Sequence, residues 1–336
     1  MASMARAAAL TNYVEVAQHL GLNVQQQLSQ FGLNRAMLEN PELRIPMTVV
    51  AGLLESSAQA SGCETFGLRM AESRQLSNFG AISLLLSHQP TLRTALDTVL
   101  KYRHLMNESL AIQVEESDRT VTLREEIAVD EQVPLRQSME LAIGVLHRFC
   151  GALLGSNWRP LCVSFSHPAP ANLDVHRRLF GCRLEFSSEL NGIICPTANL
   201  NVPNPSADPA MAKYAQSFVE SLPGAVRGST LNEVRQAIYL LLPMGRATIG
   251  QVAHSLAITV RTMQRRIEES GTTYSDLYDE VRHELLIRYM DNPRYSLSQI
   301  ACLLGYSTPS SFTRWFTSQH GVTPAKWRSQ RTGHPE

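Results

Sequence analysis

The sequence predicts an α+β domain over residues 1–221 and an all-α domain over residues 230–330, in which two helix-turn-helix units are joined by a long helix. Three observations predict this. A helix-turn-helix pattern at 296–318 occurs a second time at 248–268. Leu110, Ile112 and Val114 alternate with polar residues, Ser117–Asp118 supplies a turn, and Val121 and Leu123 resume the alternation, the signature of a β-hairpin. Between the two regions, Ser221–Ser229 reads SLPGAVRGS. Its Pro and Gly content and few bulky apolar residues mark an interdomain linker at 222–229.

The second unit is the clearer one. Ser296 and Gln299 form a capping box, and Ile300, Ala301, Leu303 and Leu304 give an apolar face at helical spacing. Gly305 stands at the helix end, where a left-handed residue is easiest to accommodate. Thr308–Pro309 restarts a helix, cap first and proline in the first turn. Phe312 and Phe316, four apart, turn inward, leaving Ser310, Ser311, Thr313 and Arg314 outside. Such a helix suits a DNA major groove.

The first unit, TIGQVAHSLAITVRTMQRRI, repeats the pattern. Thr248/Gln251 matches Ser296/Gln299, Val252 and Ala253 match Ile300 and Ala301, and Leu256 matches Leu304. Thr259 is aligned with Ser307. One extra residue then enters the second copy, so that Met263 matches Phe312, Gln264 matches Thr313, Arg265 matches Arg314 and Ile267 matches Phe316.

This pair resembles the DNA-binding domain of AraC/XylS-type transcription regulators over roughly the last hundred residues. The residues that carry the resemblance are Gly305, Tyr306, Ser307, Ser311, Phe312, Arg314, Phe316, Gly321, Thr323, Pro324 and Arg328. One departure is Ala257, where the first unit of the family often has glycine; the turn is expected to survive with more strain. The resemblance implies base contacts from Arg261, Gln264 and Arg265 in the first unit and from Ser310, Ser311 and Arg314 in the second. Two arginines and a glutamine offer more bidentate bonds to base edges, so the first unit is expected to be the stronger reader. The helix Ser275–Met290, with Leu277, Val281, Leu285 and Tyr289 on one face, would be a strut of about 24 Å. It would hold the reading helices about one duplex turn apart.

Upstream, helical patterns are expected from Thr11 to Arg44, at Pro46–Ala60, Phe66–Ser73, Thr91–Met106, Leu135–Leu154 and Pro209–Ser221, and strands at Cys162–Phe165, Arg183–Phe186 and Gly192–Cys195. MASMARAAALTNYVEVAQHLG, whose polar residues begin at Thr11, reads as a helix start rather than a secretion signal. His147 and Cys150, three apart on one helix, are placed to share a ligand or to pack. Phe180, Gly181, Cys182, Phe186, Leu200, Pro203 and Pro205 resemble the non-cupin, arabinose-binding-type effector domain of a subset of these regulators, including ornithine-responsive members.

Composition sets the outer bounds. With 44% hydrophobic and 18% charged residues, the chain reads as a globular protein, and no apolar run approaches the ~20 residues of a membrane span. A cytoplasmic location is expected. The 30 basic and 30 acidic residues balance, yet Thr230 onward holds twelve against nine. The basic excess there fits phosphate contact. The six cysteines contain no C-x-x-C, and no metal or cofactor is expected. The resemblance implies double-stranded DNA, a small-molecule effector, RNA polymerase and a second copy of the chain as partners, and an activator rather than an enzyme. The alternatives are an enzyme or a thiol or metal sensor fused to a DNA-binding domain, and a regulator without an effector, controlled by abundance or by a protein partner.

Overall fold

A computed structural model describes residues 3–129, 133–222, 229–292 and 294–332. The chain divides into two compact units, Met1–Gly228 and Ser229–Glu336. The expected linker at 222–229 lies, apart from its two end residues, outside the described residues.

The first unit is built on a five-stranded sheet. Its strands are β3 (Leu110–Glu116), β4 (Thr120–Ile127), β5 (Cys162–Phe165), β6 (Arg183–Phe186) and β7 (Gly192–Pro196), in the order β3-β4-β7-β5-β6. All neighbours are antiparallel except β5 and β6, which are parallel and joined through helix α9 (Asp174–Phe180). Helix α8 (Arg136–Leu154) packs on β4 and β7 with one side and on α4 (Met47–Ser61) and α5 (Phe66–Glu72) with others. Being covered all round explains why its sequence is apolar on most sides. Close approach to α5 requires Gly67, where a Cβ would stand 2.0 Å from the Gln137 carbonyl oxygen. Glu140 of α8, fully buried, shares a 3.2 Å hydrogen bond with His176 of α9.

The remaining helices of this unit are α1 (Tyr13–His19), α2 (Val24–Gln30), α3 (Arg35–Glu39), α6 (Ile82–Ser87), α7 (Leu92–Met106) and α10 (Pro209–Ser221). Tyr102 of α7 is buried and its hydroxyl donates to Glu220 of α10 at 3.2 Å. His147 packs against Trp158, tilted, and Phe180, edge-on, with ring centroids at 5.4 and 5.2 Å, and burial pushes its pKa down to about 4. Cys150 is likewise buried, and both side chains sit in the packed interior of the unit. Among the described residues no group of three His, Cys, Asp or Glu side chains is placed to hold a metal ion. Nor is any helix long and apolar enough to cross a membrane.

The helix expected at the N-terminus starts only at Tyr13, and the residues before it differ. Met4–Arg6 is a strand, β1, paired antiparallel with β2 (Arg44–Pro46), and Ala7–Leu10 is a 3-10 turn. Alanine has the highest helix propensity, but propensity is a weak prior, and here the burial of Ala5 and Ala7 together with pairing to β2 outweighs it.

The second unit is all helical: α11 (Thr230–Leu241), α12 (Ile249–Ser255), α13 (Val260–Glu268), α14 (Tyr274–Met290), α15 (Leu297–Leu303), α16 (Pro309–His320) and α17 (Pro324–Thr332). The turns α12–α13 and α15–α16 close alike. Ala257 N bonds His254 O and Ile258 N bonds Ala253 O; Gly305 N bonds Cys302 O and Tyr306 N bonds Ala301 O, all at 2.9–3.0 Å. Both are Schellman ends, which demand a left-handed residue. Gly305 supplies it at φ 76°, while Ala257 is forced to φ 52°.

Two stability predictions follow from these positions. A Cβ on Gly305 would stand 2.8 Å from the Tyr278 hydroxyl, so Gly305→Ala is expected to cost about 2–3 kcal/mol through left-handed strain plus overlap. Ala257→Gly should stay within about 1 kcal/mol of the parent, since relief of strain offsets added unfolded-state entropy. Urea titration checks both, and equal costs at the two sites would refute the shared-turn account. The second concerns Glu125 on β4, which is buried, with no hydrogen-bond partner for Oε2, and is pushed up from 4.5 to about 8 by desolvation and the neighbouring Glu126. Between pH 4.5 and 8 the native state therefore binds more protons than the unfolded chain, and stability falls as pH rises. Glu125→Gln should match the parent near pH 4, gain roughly 3–5 kcal/mol by pH 8 and hold that gain above it. A pH-independent difference would contradict this.

Candidate nucleic-acid interface and effector cavity

Each reading helix is oriented from its cap and its buried face. Thr259 caps α13, its hydroxyl accepting from Thr262 N at 3.1 Å; Thr308 caps α16, accepting from Ser311 N at 3.1 Å. The equivalent caps are thus Thr259 and Thr308, and the extra residue of the second unit enters before the cap, at Ser307, rather than after it. From there Met263 and Ile267 pair off with Phe312 and Phe316, all at most 1% exposed. Burying these side chains leaves one rotational setting for each helix.

That setting turns Arg261, Gln264 and Arg265 outward on α13, all exposed. On α16 it exposes Ser310, Thr313 and Arg314, at the equivalent distances from the cap. Ser311 is only part-exposed, and its hydroxyl donates to Thr308 O at 2.7 Å, so it serves the helix start. Thr313, absent from the expected contact set, stands where Gln264 stands in the first unit. The match of Gln264 with Thr313 in the aligned sequences of the two units is the signal that finds it. Pro309, Ser310, Thr313, Arg314, Thr317 and Ser318 together line one open concave face. Arg265 lies 3.7 Å from Glu269, a pair of exposed side chains with little mutual hold.

Three other arginines of this unit, Arg235, Arg282 and Arg328, are held by internal contacts. Arg282 is sandwiched between the rings of Tyr278 and Tyr306 at 4.4 and 4.8 Å, and donates to Asp279 at 3.1 Å. Burial pushes the Tyr306 hydroxyl up to about 12. Arg328 donates to Tyr295 O at 2.7 Å, and Arg235 of α11 pairs with Glu280 and Glu284 of α14. Helix α14 is tied to the segment that precedes α12 and to the α15–α16 turn. Tyr274 donates to Ala247 O at 2.8 Å, just ahead of the Thr248 cap, and Tyr278 and Arg282 meet Gly305 and Tyr306 at the α15–α16 turn. Seventeen residues give it a length of about 25 Å.

The first unit holds a cavity of about 150 Å³ between the β3–β4 hairpin and helices α4, α7 and α8. Its walls are mainly aliphatic and aromatic. The polar residues among them include Arg6, Arg74, Asn78, Glu125 and Ser138. None of these was singled out in the sequence. A signal existed at Glu125, a carboxylate on the inward register of a strand whose neighbours on that face are Leu123 and Ile127.

Residues 21–204 match the family described as the arabinose-binding domain of AraC transcription regulators, and residues 252–330 match a helix-turn-helix domain. The transcriptional regulator VirS of Mycobacterium tuberculosis is 28% identical over 335 residues, covering 98% of this chain and 97% of that protein. The ornithine utilization regulator of Pseudomonas aeruginosa is 24% identical over 321 residues, covering 94% and 93%. Among solved structures, the transcriptional regulator CdpR of Pseudomonas aeruginosa aligns with a TM-score of 0.44 at 20% identity, covering 90% of this chain and 97% of that one. With an arabinose-binding-type α+β domain followed by paired helix-turn-helix units, the chain belongs to the AraC family and is a DNA-binding transcription regulator.

Proposed function

We propose that one copy of this chain reads two successive major grooves, using Arg261, Gln264 and Arg265 of α13 and Ser310, Thr313 and Arg314 of α16. The observation that carries this reading is that both helices expose a polar face at the same distance from a threonine cap while their opposite faces are buried. Arginine donates two bonds to guanine O6 and N7, and glutamine pairs with adenine N6 and N7. Ser310 and Thr313 offer single, permissive hydrogen bonds, so α13 carries more of the sequence discrimination. Ser311 contributes by holding the start of α16 and is the weakest candidate of the expected set for a base contact.

In this reading residues 1–221 form a regulatory domain, and the chain acts as a homodimer that activates transcription through RNA polymerase when a small molecule binds that domain. Control of this kind requires the effector to bind two states of the protein with different affinity. The arabinose-binding-type family match supports the effector role; activation and dimerisation rest on the family resemblance.

Selection of sheared genomic DNA by the purified protein tests the contact set. Two half-sites about one turn apart are expected. Arg261→Ala should weaken binding to the recovered site about 5- to 150-fold and relax one base position, the loss of one bidentate contact. Thr313→Ala should relax a position in the other half-site, whereas Ser311→Ala should lower helix stability and leave base preference unchanged. Altered base preference in Ser311→Ala, with none in Thr313→Ala, would reverse the assignment.

A further inference from the structure

We propose that the cavity of the first unit binds an uncharged small molecule with an apolar body about the size of benzene and a single hydrogen-bonding head that meets Glu125. This rests on the reading of that unit as an effector domain. A cavity of 150 Å³ with apolar walls takes a benzene-sized guest. Val50, Leu54, Leu96, Val99 and Phe149 supply such walls, each at most 5% exposed.

The polar groups select the head. Glu125 and Ser138 both line the cavity, both are 3% exposed, and Glu125 Oε2 and Ser138 Oγ have no hydrogen-bond partner. Unsatisfied buried groups of this kind cost about 1–3 kcal/mol each, a cost that a ligand supplying the missing bond removes. The charged groups argue for neutrality. Arg6 already pairs with Glu42, and Arg74 gives its two terminal nitrogens to Ala8 O and Ala9 O at 2.6 and 2.5 Å. Arg6 is thereby neutralised, and Arg74 turns both terminal nitrogens to backbone carbonyls, leaving Nε as its nitrogen without a partner, so a carboxylate would find a single N–H there rather than a bidentate fork. An ammonium head would have to ionise Glu125 in an apolar surround, and the same cavity is lined by the Arg74 guanidinium. Burial raises Glu125 enough that it is neutral at pH 7. In that state its carboxyl both donates and accepts, which suits a hydroxyl or amide.

Calorimetric titration of the full chain at pH 7 with benzyl alcohol, toluene, benzylamine and benzoate tests the inference. Benzyl alcohol is expected to bind at least tenfold tighter than either charged analogue. Glu125→Leu should erase the preference for the alcohol over toluene, and Glu125→Gln should retain it. Val50→Phe, placed to fill the space, should abolish binding of both; because that variant risks misfolding, the Glu125 pair carries the decision. Binding of benzylamine or benzoate as tight as the alcohol, alcohol binding indifferent to Glu125→Leu, or no binding by any probe would overturn the proposal. The effector reading is tested separately, by affinity for the selected DNA site with and without saturating alcohol. Binding with no change in DNA affinity and no change in a reporter overturns effector control and leaves the binding site standing.

Discussion

Everything the second unit does depends on burying four side chains, Met263 and Ile267 on α13 and Phe312 and Phe316 on α16. A helix nine to twelve residues long has little stability of its own and gains it from its apolar stripe. Burying that stripe fixes rotation about the helix axis, and rotation decides which residues face outward. Arg261 and Arg265 are exposed for the same reason that Met263 and Ile267 are not. The threonine caps fix the remaining freedom, the position along the axis.

Helix α14 turns two local solutions into one frame. Its links at Tyr274, Tyr278, Arg282 and Glu284 are made to the segment before α12, to the α15–α16 turn and to α11. Arginine is therefore used in two ways within one short domain. Arg282, stacked between two tyrosines, and Arg328, bonded to a carbonyl, hold the frame; Arg261 and Arg314 are left exposed. Charge count alone does not separate these uses, since all four look alike in composition. Their surroundings do.

Much of this was legible in the sequence because its signals are local. Capping boxes at Thr248 and Ser296, the glycine at 305 and the i, i+4 aromatics need only neighbours within a few residues, and the strands Cys162–Phe165 and Arg183–Phe186 have sharp edges. Most of what the sequence hid involves distant partners; Ser311, whose partner is three residues away, is the exception. MARAAAL looks helical until β2, some forty residues away, pairs with it. Ser311 looks like a surface serine until its hydroxyl is seen bonded to the cap. The cavity was invisible because it is made by residues from α4, α7, α8 and a hairpin that no periodicity brings together. Glu125 was the one hint, since a carboxylate inside a strand's apolar register asks for a partner.

The central claim is that two units on one rigid frame meet one face of the duplex. It is tested most directly by inserting base pairs between the half-sites of a selected operator and measuring affinity for each length. A rigid frame predicts a steep loss on inserting five base pairs, because the second half-site then faces away from α16. Near-equal affinity across all spacings would mean that the units engage DNA independently, and the frame built on α14 would not be what sets the site.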